Sequence, residues 1–192
     1  MRPAALFFMT TALLLQAVDA RAGSQPTPSA AVSVSYFGEA LTHPGVAASF
    51  DLGLLETSAL RLSFSPEVVG YVHPRNHGAL LVTPRLGARL TSPEGFFGEL
   101  LLGAGWMEDW VDGVVYERGD DGGVEQVAAT GRARFVLRGS VGLGADFRRI
   151  DGKPVAWFLR LVVLGETPVN THWLAHVAVQ SGIQFHFGGA ER

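Results

Sequence analysis

The run from Thr171 to Phe187 leaves the chain few choices. Taken one residue in two, it sets His172, His176, Gln180, Gln184 and His186 on one side, and Trp173, Ala175, Val177, Val179, Ile183, Phe185 and Phe187 on the other. Successive side chains on a β-strand point to opposite faces, so this is a strand with one polar and one apolar face. It exceeds the roughly 9 to 11 residues that a tilted strand needs to cross a bilayer, and aromatics mark both ends of its apolar side.

The same alternation recurs upstream. In the first strand Val32, Val34 and Tyr36 oppose Ser33, Ser35 and Glu39, and His43-Pro44-Gly45 reads as a tight turn. Ala48, Phe50, Leu52 and Leu54 then oppose Ser49, Asp51 and Gly53, and Leu60, Leu62, Phe64 and Val68 oppose Arg61, Ser63, Ser65 and Glu67. Pro66 marks an irregularity in that third ladder, because proline lacks the N–H that a ladder needs. After a loop from Tyr71 to Gly78, Leu80, Val82, Leu86, Ala88 and Leu90 alternate with Leu81, Thr83, Arg85, Gly87 and Arg89. The fifth strand sets Phe96, Leu100, Leu102, Ala104 and Trp106 against Phe97, Glu99, Leu101, Gly103 and Gly105. An acidic, glycine-rich stretch, 108–130, is the longest irregular region. The sixth strand sets Ala133 through Phe147 against Arg132 through Arg148, and a seventh, less clean, runs from Val155 to Leu164. The second, fourth and sixth connections are short, while the third, fifth and seventh tend to be longer, as in a barrel with periplasmic turns and extracellular loops. The aromatics form two girdles, Tyr36, Trp106, Phe135 and Trp173 at one end and Phe96, Phe147, Trp157, Phe185 and Phe187 at the other.

Residues 1–22 read as a secretory signal peptide: Arg2, an apolar run from Ala4 to Val18, and the small-x-small site Ala20-Arg21-Ala22. Residues 23–31 then form a short periplasmic lead, 32–187 the barrel and 188–192 a tail. No later run has enough consecutive apolar residues for a membrane helix, so any span is built of strands. Removal of the leader leaves 13 basic and 17 acidic residues, a net charge of −4 that argues against nucleic acid as a partner. The absence of cysteine rules out disulfide staples.

Alternation by itself does not say which face points inward. The polar face collects Glu39, Asp51, Arg61, Glu67, Arg85, Arg89, Glu99, Arg138, Asp146 and Arg160, interleaved with glycines. That mixture suits a narrow eight-stranded lumen filled by paired charges and residues without side chains, whereas a solvated face would draw on lysine, of which Lys153 is the single example. The fold class is therefore all-β, an eight-stranded antiparallel up-and-down transmembrane barrel with a plugged, non-conducting interior.

With its leader, alternating strands, girdles and final Gln184-Phe185-His186-Phe187, the chain resembles the small OmpX-type and OmpA-barrel-type outer-membrane proteins. That resemblance implies an outer-membrane address, contact with outer-membrane lipid and lipopolysaccharide, and delivery by the assembly machinery that reads a C-terminal aromatic. Candidate chemistry sits at the expected extracellular rim, where His43, His73, His77 and His172 gather near Arg75, Asn76 and Asn170; imidazoles there suit metal binding or acid–base work. His172 and His176 are roughly 13 Å apart along a strand and cannot share an ion. The 108–130 loop is placed to meet a surface partner, and no cofactor fingerprint is present. The leading expectation is a structural or surface-interaction role. The alternatives are a lipid A-modifying enzyme, for which the chain lacks the His-x-Ser pair of the deacylases, and a soluble lipocalin-like carrier.

Overall fold

The computed structural model describes residues 29–40, 42–74, 77–119, 122–127, 131–169 and 172–187. The expected signal peptide, most of the expected lead, the expected tail, and Arg75, Asn76 and Asn170 lie outside them. Twelve strands are present: β1 (Ala30–Glu39), β2 (His43–Glu56), β3 (Leu60–Phe64), β4 (Glu67–His73), β5 (His77–Thr83), β6 (Arg85–Thr91), β7 (Phe96–Val111), β8 (Val115–Arg118), β9 (Val124–Val127), β10 (Arg132–Asp146), β11 (Val155–Val169) and β12 (His172–Phe187). One helical turn, α1 (Phe147–Ile150), precedes β11.

Ten of these strands make eight staves, because β3 with β4, and β5 with β6, are each one stave interrupted by a proline. All ladders are antiparallel, and β1 pairs with both β2 and β12, from Ala30 opposite Phe187 to Glu39 opposite Ala178. The ring therefore has no free edge. That is the condition for a sheet in hydrocarbon, where an unpaired N–H or C=O finds no water. The breaks at Ser65-Pro66 and Pro84 lie side by side on neighbouring staves, and Arg85 fills them: its Nε donates to Ser65 O at 3.2 Å and its Nη2 to Ser65 Oγ at 2.8 Å. Across the ladder stands Gly103, where a Cβ would lie 2.5 Å from Pro84 O, so the bulged backbone requires a glycine there.

Outward positions carry an apolar belt. Val46, Leu86 and Leu102 are 58 to 62% exposed, values that in water would mark a large sticky surface and in a bilayer mark the lipid contact. The upper girdle is Tyr36, Trp106, Trp110, Phe135 and Trp173, and the lower one Phe50, Phe96, Trp157, Phe185 and Phe187, all exposed. From Phe96 to Trp106 is about 33 Å along the strand, or about 25 Å along the axis at a tilt of about 40°, which matches the apolar height of an outer-membrane barrel. Between the girdles no charged side chain points outward among the described residues; Glu108, the nearest, stands above Trp106. This arrangement is inside-out relative to a soluble lipocalin-like carrier, and the model overturns that alternative.

Several sequence expectations shift. His43-Pro44-Gly45 is not a turn but the start of β2; the reversal lies between β1 and β2, and Ala40 has φ +46°. The loop expected from Tyr71 to Gly78 shrinks, because β4 runs to His73 and β5 starts at His77. The seventh connection is as short, so only the fifth is long, and the expected short/long alternation is absent. That fifth connection carries strands of its own: β7 extends to Val111, and β8 and β9 form a separate hairpin. Phe147 and Arg148 leave the sheet for α1, whose N-cap Asp146 accepts from Arg148 N at 3.0 Å. The turns at the opposite end are tied together by Arg149, which donates to Ser92 O at 3.2 Å and also to Ser58 O.

Candidate functional site

The lumen is layered. At the end where Ala30 meets Phe187, Ser33 Oγ and Ser49 Oγ share a hydrogen bond at 2.7 Å, and Ser49 Oγ stands 3.1 Å from Asp51 Oδ2. Arg61 pairs with Glu56 at 2.7 Å, and Asp146 pairs locally with Arg148 at 2.6 Å. A cavity of about 10 Å³, lined by Asp51, Arg61, Arg89, Glu99 and Gln184 among others, has room for one water at most.

Two carboxylates organise the middle. Glu99 accepts from Arg89 Nη2 at 2.8 Å on one oxygen and from Arg160 Nε at 2.7 Å on the other. Glu67 pairs with Arg85 at 2.8 Å, with Arg138 on its other oxygen, and with Gln180 Nε2 at 2.8 Å. The Arg138 pair crosses the lumen from β4 to β10. The two guanidiniums on Glu99 also cover rings, Arg89 that of Phe97 at 4.0 Å and Arg160 that of Phe158 at 3.8 Å, so both charge and shape fill the bore. Gly142 makes the room: a Cβ there would sit 2.8 Å from Arg160 Cγ and 3.2 Å from Glu99 Cγ.

Above these charges lies a dry layer of Phe37, Val69, Leu81, Val136, Val162 and Leu164, none more than 3% exposed. Tyr71 joins it, 5.8 Å from the Phe37 ring and with its hydroxyl 3.7 Å from Met107 Sδ.

The mouth is closed by a collar to which every stave contributes one titratable or charged side chain: Glu39, His43, His73, His77, Asp109, Arg134, Glu166 and His176. Glu39 accepts from His176 Nδ1 at 2.9 Å and from His43 Nδ1. His176 Nε2 lies 3.3 Å from Glu166 Oε1, which is 3.5 Å from Arg134, and Arg134 donates to Asp109 at 3.0 Å. On the other side of His43 the imidazoles stack, His43 on His73 at 3.6 Å between centroids and His73 on His77 at 5.2 Å, the last two being directly opposite in the β4–β5 ladder.

Of the histidines singled out in the sequence, the collar unites His43, His73 and His77, while His172 stands exposed outside it. Glu39 belongs to this collar rather than to the mid-lumen charges from which the apolar layer separates it. Asp109, Arg134, Glu166 and His176 were not anticipated as site residues; inward parity at the rim ends of β7, β10, β11 and β12 is the signal that could have found them. No three His, Asp or Glu side chains converge on a metal position among the described residues. Ser181 faces outward, opposite Tyr36 and Leu159, with no imidazole beside it.

No family model matches the chain, nor does any curated protein. Among solved structures it is similar to the N-terminal β-barrel domain of Pseudomonas aeruginosa OprF, at 13% identity and a TM-score of 0.50, covering 85% of this chain and 100% of that one. It is also similar to Neisserial surface protein A, at 11% identity and a TM-score of 0.53, covering 83% of this chain and 96% of that one. At such identities the likeness shows the fold alone, that of the small outer-membrane β-barrels. The fold, together with the apolar belt and its girdles, makes this chain an outer-membrane protein.

Proposed function

We propose that the protein is a closed scaffold in the outer membrane, with a structural or surface-interaction role, and not a diffusion pore. One observation carries this reading: the bore is filled along its length, by the Glu67 and Glu99 ion pairs in the middle and by the Phe37–Leu81–Val162 layer above them. A path for solutes would need both to move, at the expense of uncompensated buried charge. What the barrel offers to the outside is its collar and the β8–β9 hairpin, where Val114, Tyr116 and Val124 are exposed beside Glu125 and Arg118. An exposed hairpin on a rigid barrel is where a partner-binding surface is commonly placed. At the opposite end Phe187, paired with Ala30 and exposed, closes the last strand five residues before Arg192 and is available there as the strand-end aromatic for the assembly machinery, and the girdles supply the contact with lipid and lipopolysaccharide.

The test is conductance. The full chain, refolded and inserted into planar bilayers, is expected to give no discrete current steps at moderate voltage. Reproducible single-channel steps would refute the closed-scaffold reading. Binding of the intact barrel to outer-membrane components, compared with a variant whose hairpin is replaced by a tight turn, then tests whether the hairpin is the contact surface.

A further inference from the structure

We infer that the mouth of the barrel is an acid-responsive latch, in which the stack of His43, His73 and His77 holds the first and third connections together while its rings are neutral and releases them when a second ring is protonated. The argument starts from where compensation is available. His43 donates to Glu39, so a proton on His43 meets a carboxylate at once. His73 has no such partner: its neighbours are the His43 ring at 3.6 Å and the His77 ring at 5.2 Å, and its Nδ1 is buried without a hydrogen bond. The ring of Tyr71, edge-on to His77 at 6.2 Å, forms the floor. A first proton is thus accommodated on His43, and a proton added to His73 then sits within van der Waals distance of the His43 imidazolium with no carboxylate of its own.

The remaining groups around the stack do not relieve that repulsion. Glu39 is already shared between His43 and His176; Glu166 is engaged by His176 and Arg134, and Asp109 by Arg134. With neutral imidazoles the collar carries a net charge of −2, and with all four protonated +2, so its sign inverts across the range in which histidine titrates. The sign of the effect follows: the closed mouth is favoured at neutral pH, and the second proton taken up by the stack as pH falls favours the open one. What moves is limited to the rim. His43 opens β2, while His73 and His77 flank the turn between β4 and β5, so parting the rings separates two short connections and leaves the ring of staves intact.

The chain has no cysteine, so Thr42→Cys with Pro74→Cys, both exposed, gives a unique pair of spin-label sites on the two connections. In the full chain folded in lipid nanodiscs, the interspin distance is expected to be short and narrowly distributed at pH 8. It should become longer and broader by pH 5, with a midpoint below about 6.5. With His73→Phe, which keeps an aromatic ring but takes up no proton, the narrow distribution should persist at pH 5. If that substitution itself disturbs the pair at pH 8, His73→Tyr supplies the same comparison. A distribution unchanged between pH 8 and pH 5, or one that changes equally in the His73 variants, would overturn the latch.

Discussion

Replacing Glu67 with glutamine removes one negative charge from between two guanidiniums while keeping the shape of the side chain. Glu67 is 1% exposed, Arg85 1% and Arg138 3%, so no solvent reaches the group to replace the lost charge. Arg85 retains its bonds to Ser65 and Arg138 its bond to Gln180, but both charges become uncompensated. Breaking a buried pair by removing one partner costs about 3 to 5 kcal/mol, and here one carboxylate serves two cations, which points to the upper half of that range. The protein supplies its own probe, since Trp106, Trp110, Trp157 and Trp173 all face lipid, and their emission changes when the barrel unfolds from the bilayer. With an m-value of about 2 kcal/mol per molar urea, Glu67→Gln should lower the unfolding midpoint by about 2 M. Arg138→Met alone should also destabilise. The double variant should cost less than the sum, by about 0.5 to 3 kcal/mol, because it removes one of the two opposed cations. A midpoint shift for Glu67→Gln below about 0.3 M, or strictly additive single effects, would refute the claim that Glu67 is the hub of the bore.

Other outcomes follow from the same geometry. Leu102→Arg, near mid-height on the lipid face, should cost about 2 to 4 kcal/mol, read as reduced folding into vesicles on a heat-modifiability gel. Gly142→Leu places a side chain where Arg160 and Glu99 already stand; a loss of at least about 1 to 3 kcal/mol is expected by urea titration, and no loss would mean that the bore has slack. Arg149→Ala, at an exposed site, should cost no more than about 1 kcal/mol, since it frees two turn carbonyls to water. Replacing 113–125 by a two-residue turn should leave the unfolding stability within about 0.5 kcal/mol of the parent, because among the described residues β8 and β9 pair with each other and not with the ring; a larger drop would make the hairpin part of the fold.

The stave pattern was legible because outward and inward residues differ sharply where the inward ones are charged, as along Glu99–Gly103 or Arg138–Asp146. It blurred where both faces are apolar. Phe158, Val162 and Leu164 made β11 look untidy as an amphipathic strand, yet they are correct inward residues, part of a dry layer that a rule of polar interior and apolar exterior does not foresee. Strand ends were the weakest point, since proline, glycine and histidine signal turns locally while ring closure pulls them into ladders: Pro44 and Gly45 pair with β1, and His73 with His77. The collar was half visible for the same reason. Its histidines stood out by type, whereas Asp109 fell in the acidic 108–130 stretch and Arg134 on the polar side of the sixth strand, and only register brings them together.

Pairing of Ala30 with Phe187 separates the first and last partners of one ladder by almost the whole described chain. Until β12 arrives, β1 and β11 each present an open hydrogen-bonding edge, and no shorter set of staves encloses the charges it carries. Synthesis and folding are thereby uncoupled: there is no useful halfway house, and the nascent polypeptide has to be kept from pairing with others until its final residues are available. The alternation that builds the belt also eases that wait, because it scatters apolar side chains among polar ones along the extended chain and gathers them only when the circle shuts.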